Sequence, residues 1–563
     1  MRKYLLVVIV LLGAWASAPA FAQNAMVATA NRHASNAAAE MIREGGSAVD
    51  AAVAAQLVLG LVEPQSSGIG GGAFMLHWAK ASYKLDTYDG RETAPEAITP
   101  KLFLKADGTP MKFFDVVIGG RAVGVPGVIA MMALAHKDHG KLDWKVLFQP
   151  AIRLARGGFA VSPRLYTLLE RFELLQTQDA AKRHFYRETD DGLKPHPVGY
   201  LLTNPDYAET LETIANEGPK GFYEGEIATA MVRAVRTHQP NPGYLSSADL
   251  KNYKAKRRDG VCAVYRGYKV CGMGPPTSGG LTSLMTLKML ERFNVGGMKP
   301  GSLETVHLVS EASRLAFADR GVFMADADFV KVPTEGLLDQ EYLTDRSNII
   351  SKVKSMGKAK AGSPPGAPEK KSQADDATRP GTSHLVIVDK QGNAVSMTTS
   401  IEGGFGAHQM VHGFLLNNQL TDFSFRPEKD GAPVANAAAP GKRPRSSMSP
   451  TLIFSPDGGL FAAIGSPGGS RIIGYVTKTV VALIDWQMPM QQAINLPHHV
   501  NRNGKTDLEE NTPLGTYKEQ LTEMGHEISV RSLNSGLHGI RITDEGLDGG
   551  ADPRREGVVI EIE

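Results

Sequence analysis

Hydrophobic residues recur at helical spacing from Asn31 to Arg43 and again from Ser47 to about Leu61, with Gly45-Gly46 between the two runs. The pattern predicts two consecutive helices, the second opened by a Ser47/Asp50 capping box. A glycine-rich stretch, Pro64 to Phe74, leads into the alternating segment Phe74 to Trp78, which predicts a strand. A helix before the glycines and a strand after them is the reverse of the order a dinucleotide-binding turn needs, so that reading is excluded. Residues 126 to 350 alternate amphipathic helical stretches with short loops and contain no internal repeat. From 351 to 381 Lys, Ser, Gly, Pro, Ala and Asp dominate, and apolar periodicity ends at Lys358, which predicts a linker or mobile loop. Two strands follow, Ser383 to Asp389 and Ala394 to Ile401, joined by a turn at Lys390-Gln391-Gly392-Asn393. Leu385 and Ile387 face one way and Val386 and Val388 the other, as in a strand covered on both sides. Pairing Asp389 with Ala394 would set Thr382 opposite Ile401, with Ser400 close by.

The N-terminus changes the picture of where the protein works. Arg2 and Lys3 precede an apolar run from Tyr4 to Trp15, and Ala20-Phe21-Ala22 has the small-x-small form of a signal-peptidase site, so residues 1–22 are expected to be an export signal. The run is shorter than the ~20 residues of a spanning helix, and the mature chain is expected to be periplasmic or secreted, without a membrane span. Lys plus Arg number 61 against 59 for Asp plus Glu, so no charge excess favours nucleic acid as a partner. The two cysteines, Cys262 and Cys271, flank Tyr265-Arg266-Gly267-Tyr268. A two-residue hairpin turn at Arg266-Gly267 would set them opposite each other, as a cross-strand disulfide or as two buried thiols.

Candidate chemistry centres on Thr382. A threonine hydroxyl is a weak nucleophile, and one route to activating it is the residue's own α-amino group once a chain break makes it N-terminal. Such an amine has a pKa of ~7.7 to 8.0. A flexible segment ending in Arg379-Pro380-Gly381 and followed by a core strand suits a cut between Gly381 and Thr382. His498-His499 lacks acidic or cysteine partners at ligand spacing and is expected to be structural.

Three polar or glycine-rich loops follow: Asn417 to Phe423, Lys442 to Pro450, and Gly465 to Arg471. With Thr382-Ser383-His384, their order and wording closely resemble the γ-glutamyltransferase family. The resemblance extends upstream to Gly90-Arg91-Glu92-Thr93-Ala94-Pro95, Gly274 to Gly280, Ala318-Asp319-Arg320 and Asp328 to Pro333, and downstream to Asp552-Pro553-Arg554. It implies an α/β (α+β) fold, the αββα sandwich of the N-terminal-nucleophile hydrolases. It also implies a precursor cut autocatalytically into a large subunit, 23–381, and a small one, 382–563, interwoven as one domain. No cofactor or metal is implied. The implied reaction moves a γ-glutamyl group from glutathione or another γ-glutamyl amide, through an acyl-threonine, to water or to an amino acid or peptide. Thr382 would be the nucleophile and Ser400 would stand where members carry a second threonine. Arg91, Ser446 and Ser447 would bind the donor's α-carboxylate, a planar anion suited to a guanidinium fork. Asp422, Gln419 and Glu402 would surround its α-ammonium, and the backbone N–H groups of Gly468 and Gly469 would form the oxyanion hole.

The chain departs from the family pattern in two places. Glu402 stands where members usually carry asparagine, and the stretch between Asp422 and Ser446 is short, without a tyrosine or tryptophan to act as a gate. The first casts doubt on strict γ-glutamyl selectivity; the second predicts an open site with a larger share of hydrolysis than of transfer. Two competing readings are a glutaryl or cephalosporin acylase of the same fold and a non-cleaving periplasmic amino-acid-binding protein.

Overall fold

The computed structural model describes residues 24–368, 372–374 and 381–563; the expected export signal, 1–22, lies outside the described residues. Strand β1 (Ala25–Thr29) leads into α1 (Arg32–Arg43) and α2 (Ala48–Val62). The helix starts follow from local chemistry. Asn31 caps α1 by accepting the His33 N–H, and Ser47 and Asp50 form both bonds of the capping box on α2. Every residue of α2 except Gly60 is buried, as its all-round apolar sequence requires.

β2 (Gly72–Ala79) and β3 (Lys84–Gly90) form the next hairpin, followed later by β4 (Lys256–Arg258), β5 (Gly260–Tyr265) and β6 (Tyr268–Met273). Arg266 and Gly267 both have positive φ (51° and 87°), the conformation of a two-residue hairpin turn that matches strand twist. The pairing sets Cys262 opposite Cys271 with Cα atoms 4.1 Å apart, and the two are disulfide-bonded. Two long helices, α3 (Gly279–Leu290) and α4 (Leu303–Phe323), come next. The remaining elements are β7 (Thr382–Val388), β8 (Ala394–Ser400), β9 (Thr451–Phe454), β10 (Leu460–Gly465), α5 (Ile472–Ile484), β11 (His538–Thr543), β12 (Gly546–Ala551) and β13 (Val558–Ile562).

The strands form two antiparallel sheets, ordered β13-β1-β7-β8-β2-β3-β4 and β12-β11-β10-β9-β6-β5. Leu385 and Ile387 of β7 share a core with α1 and α2, whereas Val386 and Val388 share one with Leu452 and Ile464 of the second sheet. Leu284 of α3 and Val480 of α5 belong to that second core, and both helices pack against the second sheet. The layers are therefore helix, sheet, sheet, helix, the αββα sandwich. Among the described residues no helix is long and apolar enough to cross a membrane.

Two local expectations need correction. Val388, not Asp389, pairs with Ala394, so Thr382 lies directly opposite Ser400 rather than Ile401. The loop is one residue shorter than the sequence suggests. Asp389 N–H donates to the Asn393 carbonyl, Gly392 adopts φ 78°, and the Asp389 carboxylate accepts the N–H groups of Gln391 and Asn393. The stretch 351–368, expected to belong to a mobile segment, is seated against α4. Glu311 accepts from Ser355 Oγ (2.8 Å) and the Met356 N–H (2.7 Å), and Asp319 accepts the Gly362 N–H (2.7 Å). Buried carboxylates of a distant helix satisfy this backbone, and composition carries no trace of them.

Candidate active site

The first residue of β7 and the last of β8 meet at one end of the first sheet. Thr382 Oγ1 lies 3.2 Å from Ser400 Oγ, and Ser400 Oγ donates to the Gly381 carbonyl at 2.7 Å and accepts the Glu402 N–H at 2.9 Å. A serine hydroxyl has one proton. With that proton on the Gly381 carbonyl, Thr382 is the donor in its pair with Ser400, which leaves the Thr382 oxygen's lone pairs facing elsewhere. The turn back to Ser400 holds Glu402 at φ 77°, a left-handed conformation that costs a side-chain-bearing residue about 1–2 kcal/mol. Gly70 and Gly71 let the preceding loop pass against this end of the sheet. A Cβ on Gly71 would sit 2.2 Å from the Ser400 carbonyl oxygen.

Beside the hydroxyls is a small cavity of about 20 Å³ lined by Thr382, Ser400, Glu402, Gly469 and a ring of polar side chains. Arg91, just beyond β3, is fully buried there. Its Nε donates to the Pro444 carbonyl at 3.0 Å, and its Nη2 to the Arg445 carbonyl at 3.2 Å and to Asp422 Oδ2 at 2.5 Å. Gln419 Nε2 donates to the same carboxylate oxygen at 2.8 Å. Arg91 Nη1 makes no hydrogen bond among the described residues; Glu92 Oε2 lies 3.6 Å away. Burial pushes the Glu92 carboxyl up to about 8, against the opposing pull of Arg91. Glu92 is therefore mostly neutral at pH 7, and Asp422 is the anion that balances Arg91.

Ser446 and Ser447 form the opposite wall. Arg320 Nη2 donates to Ser447 Oγ at 2.7 Å and Arg320 Nε to Ser278 Oγ at 2.9 Å, while Ser278 Oγ donates to the Ser446 carbonyl at 2.6 Å. Asn436 ties the loops together, donating to the Asp422 carbonyl at 2.7 Å and accepting the Arg445 N–H at 2.9 Å. Gly468 (φ 137°) and Gly469 (φ 61°) precede α5. A Cβ on Gly468 would sit 2.7 Å from the Tyr475 ring, so the position has room only for glycine. Gly469 lines the cavity and Gly468 lines a larger groove beside it.

A family model described as Gamma-glutamyltranspeptidase matches residues 34–562. The chain belongs to the γ-glutamyltranspeptidase family. It is 35% identical over 552 residues to the glutathione hydrolase proenzyme of Bacillus subtilis (strain 168), covering 96% of this chain and 92% of that one. It is 34% identical to the Acylase ACY 1 proenzyme of Pseudomonas sp. (strain SE83), covering 97% and 94%. The structure superposes on a cephalosporin acylase from Bacillus halodurans with a TM-score of 0.82 at 28% identity, covering 96% of each chain.

As an enzyme of the γ-glutamyltranspeptidase family, the protein gathers nine of the ten residues singled out in the sequence around one cavity; Gly468 borders the groove next to it. Met448 and Ile472 complete the lining and were not foreseen. Nor were Arg320, which braces the serine wall, and Arg555, whose Nη1 donates to the Thr382 carbonyl at 2.9 Å. Arg320, in the last turn of α4, stood in the Ala318-Asp319-Arg320 motif without an assigned role, and Arg555 had no signal. His498 lies outside the cavity, buried and bonded to Ser535 Oγ at 2.7 Å. Among the described residues His307, Glu311 and His526 are close enough to share a metal ion. Their atoms are committed elsewhere: the two rings bond each other at 2.8 Å, and Glu311 pairs with Arg314 at 2.7 Å.

Proposed function

We propose that the protein is a γ-glutamyltransferase and glutathione hydrolase that matures by cutting itself between Gly381 and Thr382. The observation that carries this reading is the Thr382–Ser400–Gly381 arrangement beside a cavity holding both a buried guanidinium and carboxylates. In maturation, Thr382 Oγ1 attacks the Gly381 carbonyl carbon, whose oxygen Ser400 polarises. The Gly381–Thr382 amide becomes an ester as the acyl group passes from nitrogen to oxygen and the hydroxyl proton passes to the nitrogen, which becomes the free Thr382 amine; water then hydrolyses the ester, releasing the Gly381 carboxylate and restoring the Thr382 hydroxyl. That amine is the base for turnover. It takes the Thr382 hydroxyl proton as Oγ1 attacks the donor's γ-carbonyl, and the Gly468 and Gly469 N–H groups stabilise the resulting oxyanion. The leaving amine departs with the proton, and water or an amino acid or peptide resolves the acyl-threonine.

Arg91, Ser446 and Ser447 hold the donor's α-carboxylate, and Asp422, Gln419 and Glu402 hold its α-ammonium. Asp422 also favours this donor over a glutaryl one, because its second carboxylate oxygen, Oδ1, is buried without a hydrogen bond among the described residues and an α-ammonium would supply one. The likeness to acylases keeps the second reading worth a direct comparison. Export directed by residues 1–22 would place the large and small subunits outside the cytoplasm as a heterodimer.

Intact mass and N-terminal sequencing, run beside release of p-nitroaniline from γ-glutamyl and glutaryl anilides, test the whole reading. A fragment beginning at Thr382 and preference for the γ-glutamyl donor are expected. An uncut, folded and inert protein, or a preference for the glutaryl donor, would overturn it. Thr382→Ala is expected to leave an uncut, inactive precursor.

A further inference from the structure

The turn end of the β2–β3 hairpin carries a cluster that the proposed reaction does not use. His77 of β2 pairs directly with Asp86 of β3, so both side chains leave the same face of the sheet. The helix Val128–His139 packs against both strands and ends on His139, the third member. One donor atom from each of the three lies within 4.8 Å of the other two.

The three groups leave one another poorly satisfied. His139 Nε2 is 3.2 Å from Asp86 Oδ2, yet neither it nor His77 Nδ1 makes a hydrogen bond among the described residues, and both atoms are buried. His77 as a whole is 3% exposed. Asp86 Oδ1 faces the exposed Lys84 Nζ at 2.8 Å. The neighbouring Asp138 carboxylate is committed to Arg257 (2.6 and 2.8 Å) and to the Tyr88 hydroxyl (2.8 Å). Burial holds both imidazoles below their ordinary range, His77 at about 3, so each ring offers a lone pair at neutral pH. Two neutral imidazoles and one carboxylate are a donor set for a divalent transition-metal ion, and zinc accepts it without a geometric demand of its own. Zinc holds such ligands at ~2.0–2.2 Å, which puts neighbouring ligand atoms ~3.3 Å apart in a tetrahedron. The His139–Asp86 pair already stands at that separation. The two rings are stacked, with centroids 3.8 Å and planes 26° apart, so one must turn about its Cβ–Cγ bond to aim its lone pair at the ion. His139 is placed to do so, with an 18% exposed side chain at a helix end.

We propose that His77, Asp86 and His139 form a binding site for a zinc-type divalent metal ion, which staples the outer end of the hairpin to the helix. The same two elements meet the active site at their other ends. Gly127, just before the helix, donates its N–H to the Gly71 carbonyl at 2.8 Å, and β3 runs directly into Arg91. His77–Asp86 is four residue pairs along the hairpin from Ala73–Gly90, about 13 Å. The ion therefore stiffens the support of the site and takes no part in its chemistry, and the proposal stands whether or not the proposed reaction does.

The test strips the purified, tag-free protein with a chelator and measures Zn²⁺ uptake by equilibrium dialysis with metal analysis, beside thermal unfolding. One Zn²⁺ per chain is expected, with a Tm that rises with Zn²⁺ concentration, as for any ligand of the folded state. Asp86→Asn and His139→Gln alter part-exposed side chains and should keep the parent's metal-free Tm. Each should weaken Zn²⁺ binding by about a hundred-fold, since even the partners behind metal ligands are worth about 10–100-fold, and should abolish the Tm rise. Co²⁺ in place of Zn²⁺ should give visible ligand-field absorption in the parent and not in these variants. His307→Gln, in the other histidine–carboxylate cluster, should bind Zn²⁺ as the parent does. A parent that retains no more Zn²⁺ than His139→Gln, a Tm rise that survives in both variants, or binding lost in His307→Gln instead would overturn the proposal.

Discussion

Ser400→Ala removes one oxygen and with it three interactions: the donor to the Gly381 carbonyl (2.7 Å), the partner of Thr382 Oγ1 (3.2 Å) and the acceptor of the Glu402 N–H (2.9 Å). The first polarises the bond to be cut. Loss of one preorganised donor to a developing oxyanion costs about 10²–10³ in rate, or about 2.7–4 kcal/mol. The third leaves a buried N–H without its partner, a separate stability cost of about 1–3 kcal/mol. The variant should therefore fold with a lowered Tm and accumulate as uncut precursor, maturing two to three orders of magnitude more slowly than the parent. Ser400→Thr keeps the hydroxyl and should mature near the parent rate. The assay is a time course of freshly purified precursor on denaturing gels, with thermal unfolding as the control for folding. Maturation of Ser400→Ala at the parent rate would refute the assignment of this hydroxyl to the Gly381 carbonyl.

Other consequences are equally open to measurement. Glu92 has its carboxyl raised to about 8 in the folded protein. Its contribution to stability is full below the unfolded value near 4.5 and is lost as pH rises through 8, so Glu92→Gln should flatten that part of the stability–pH curve in denaturant titrations. Ionised Glu92 also competes for Arg91, so the donor KM should climb above pH 8 in the parent and not in Glu92→Gln. Asp422→Asn takes the anion from Arg91 and should cut kcat/KM by at least a hundred-fold and lower stability, since breaking a buried pair costs about 3–5 kcal/mol; an unchanged KM would contradict the role given to Asp422. Cys262→Ser opens a loop with a sequence separation of 9, for which chain entropy allows at most about 2.6 kcal/mol. Urea unfolding should register that loss with kcat unaffected.

Local chemistry was legible where side chains write directly on the backbone. Asn31, Ser47 and Asp50 announced the two first helices, and the alternation in β7 announced a strand covered on both faces. The β7–β8 register slipped by one because the Asp389 carboxylate and the left-handed Gly392 close a three-residue loop, a choice the turn's wording does not force. The site was a different matter. Arg91, Asp422, Ser446 and Gly469 come from separate loops related by no periodicity, and only likeness to a family links them in sequence. What that likeness did not assign was a role for the residues acting from behind, Arg320 and Arg555. Their importance lies in what they touch in space: the Ser447 hydroxyl and the Thr382 carbonyl.

The strand order of the first sheet makes the proposed cut nearly irreversible in practice and nearly silent in structure. β7, β8 and β13 would belong to the small subunit, while β1 and the β2–β4 side would belong to the large one, so β1 is clamped between β13 and β7, and β8 lies against β2. Neither fragment holds a complete sheet, and neither can leave without breaking backbone ladders along two or more strand borders. The covalent link is needed once, to bring these strands into order, and after that the interlock does its work. Fragments made separately should be poor at finding each other, whereas a matured enzyme should unfold as one unit, with both pieces lost in a single transition.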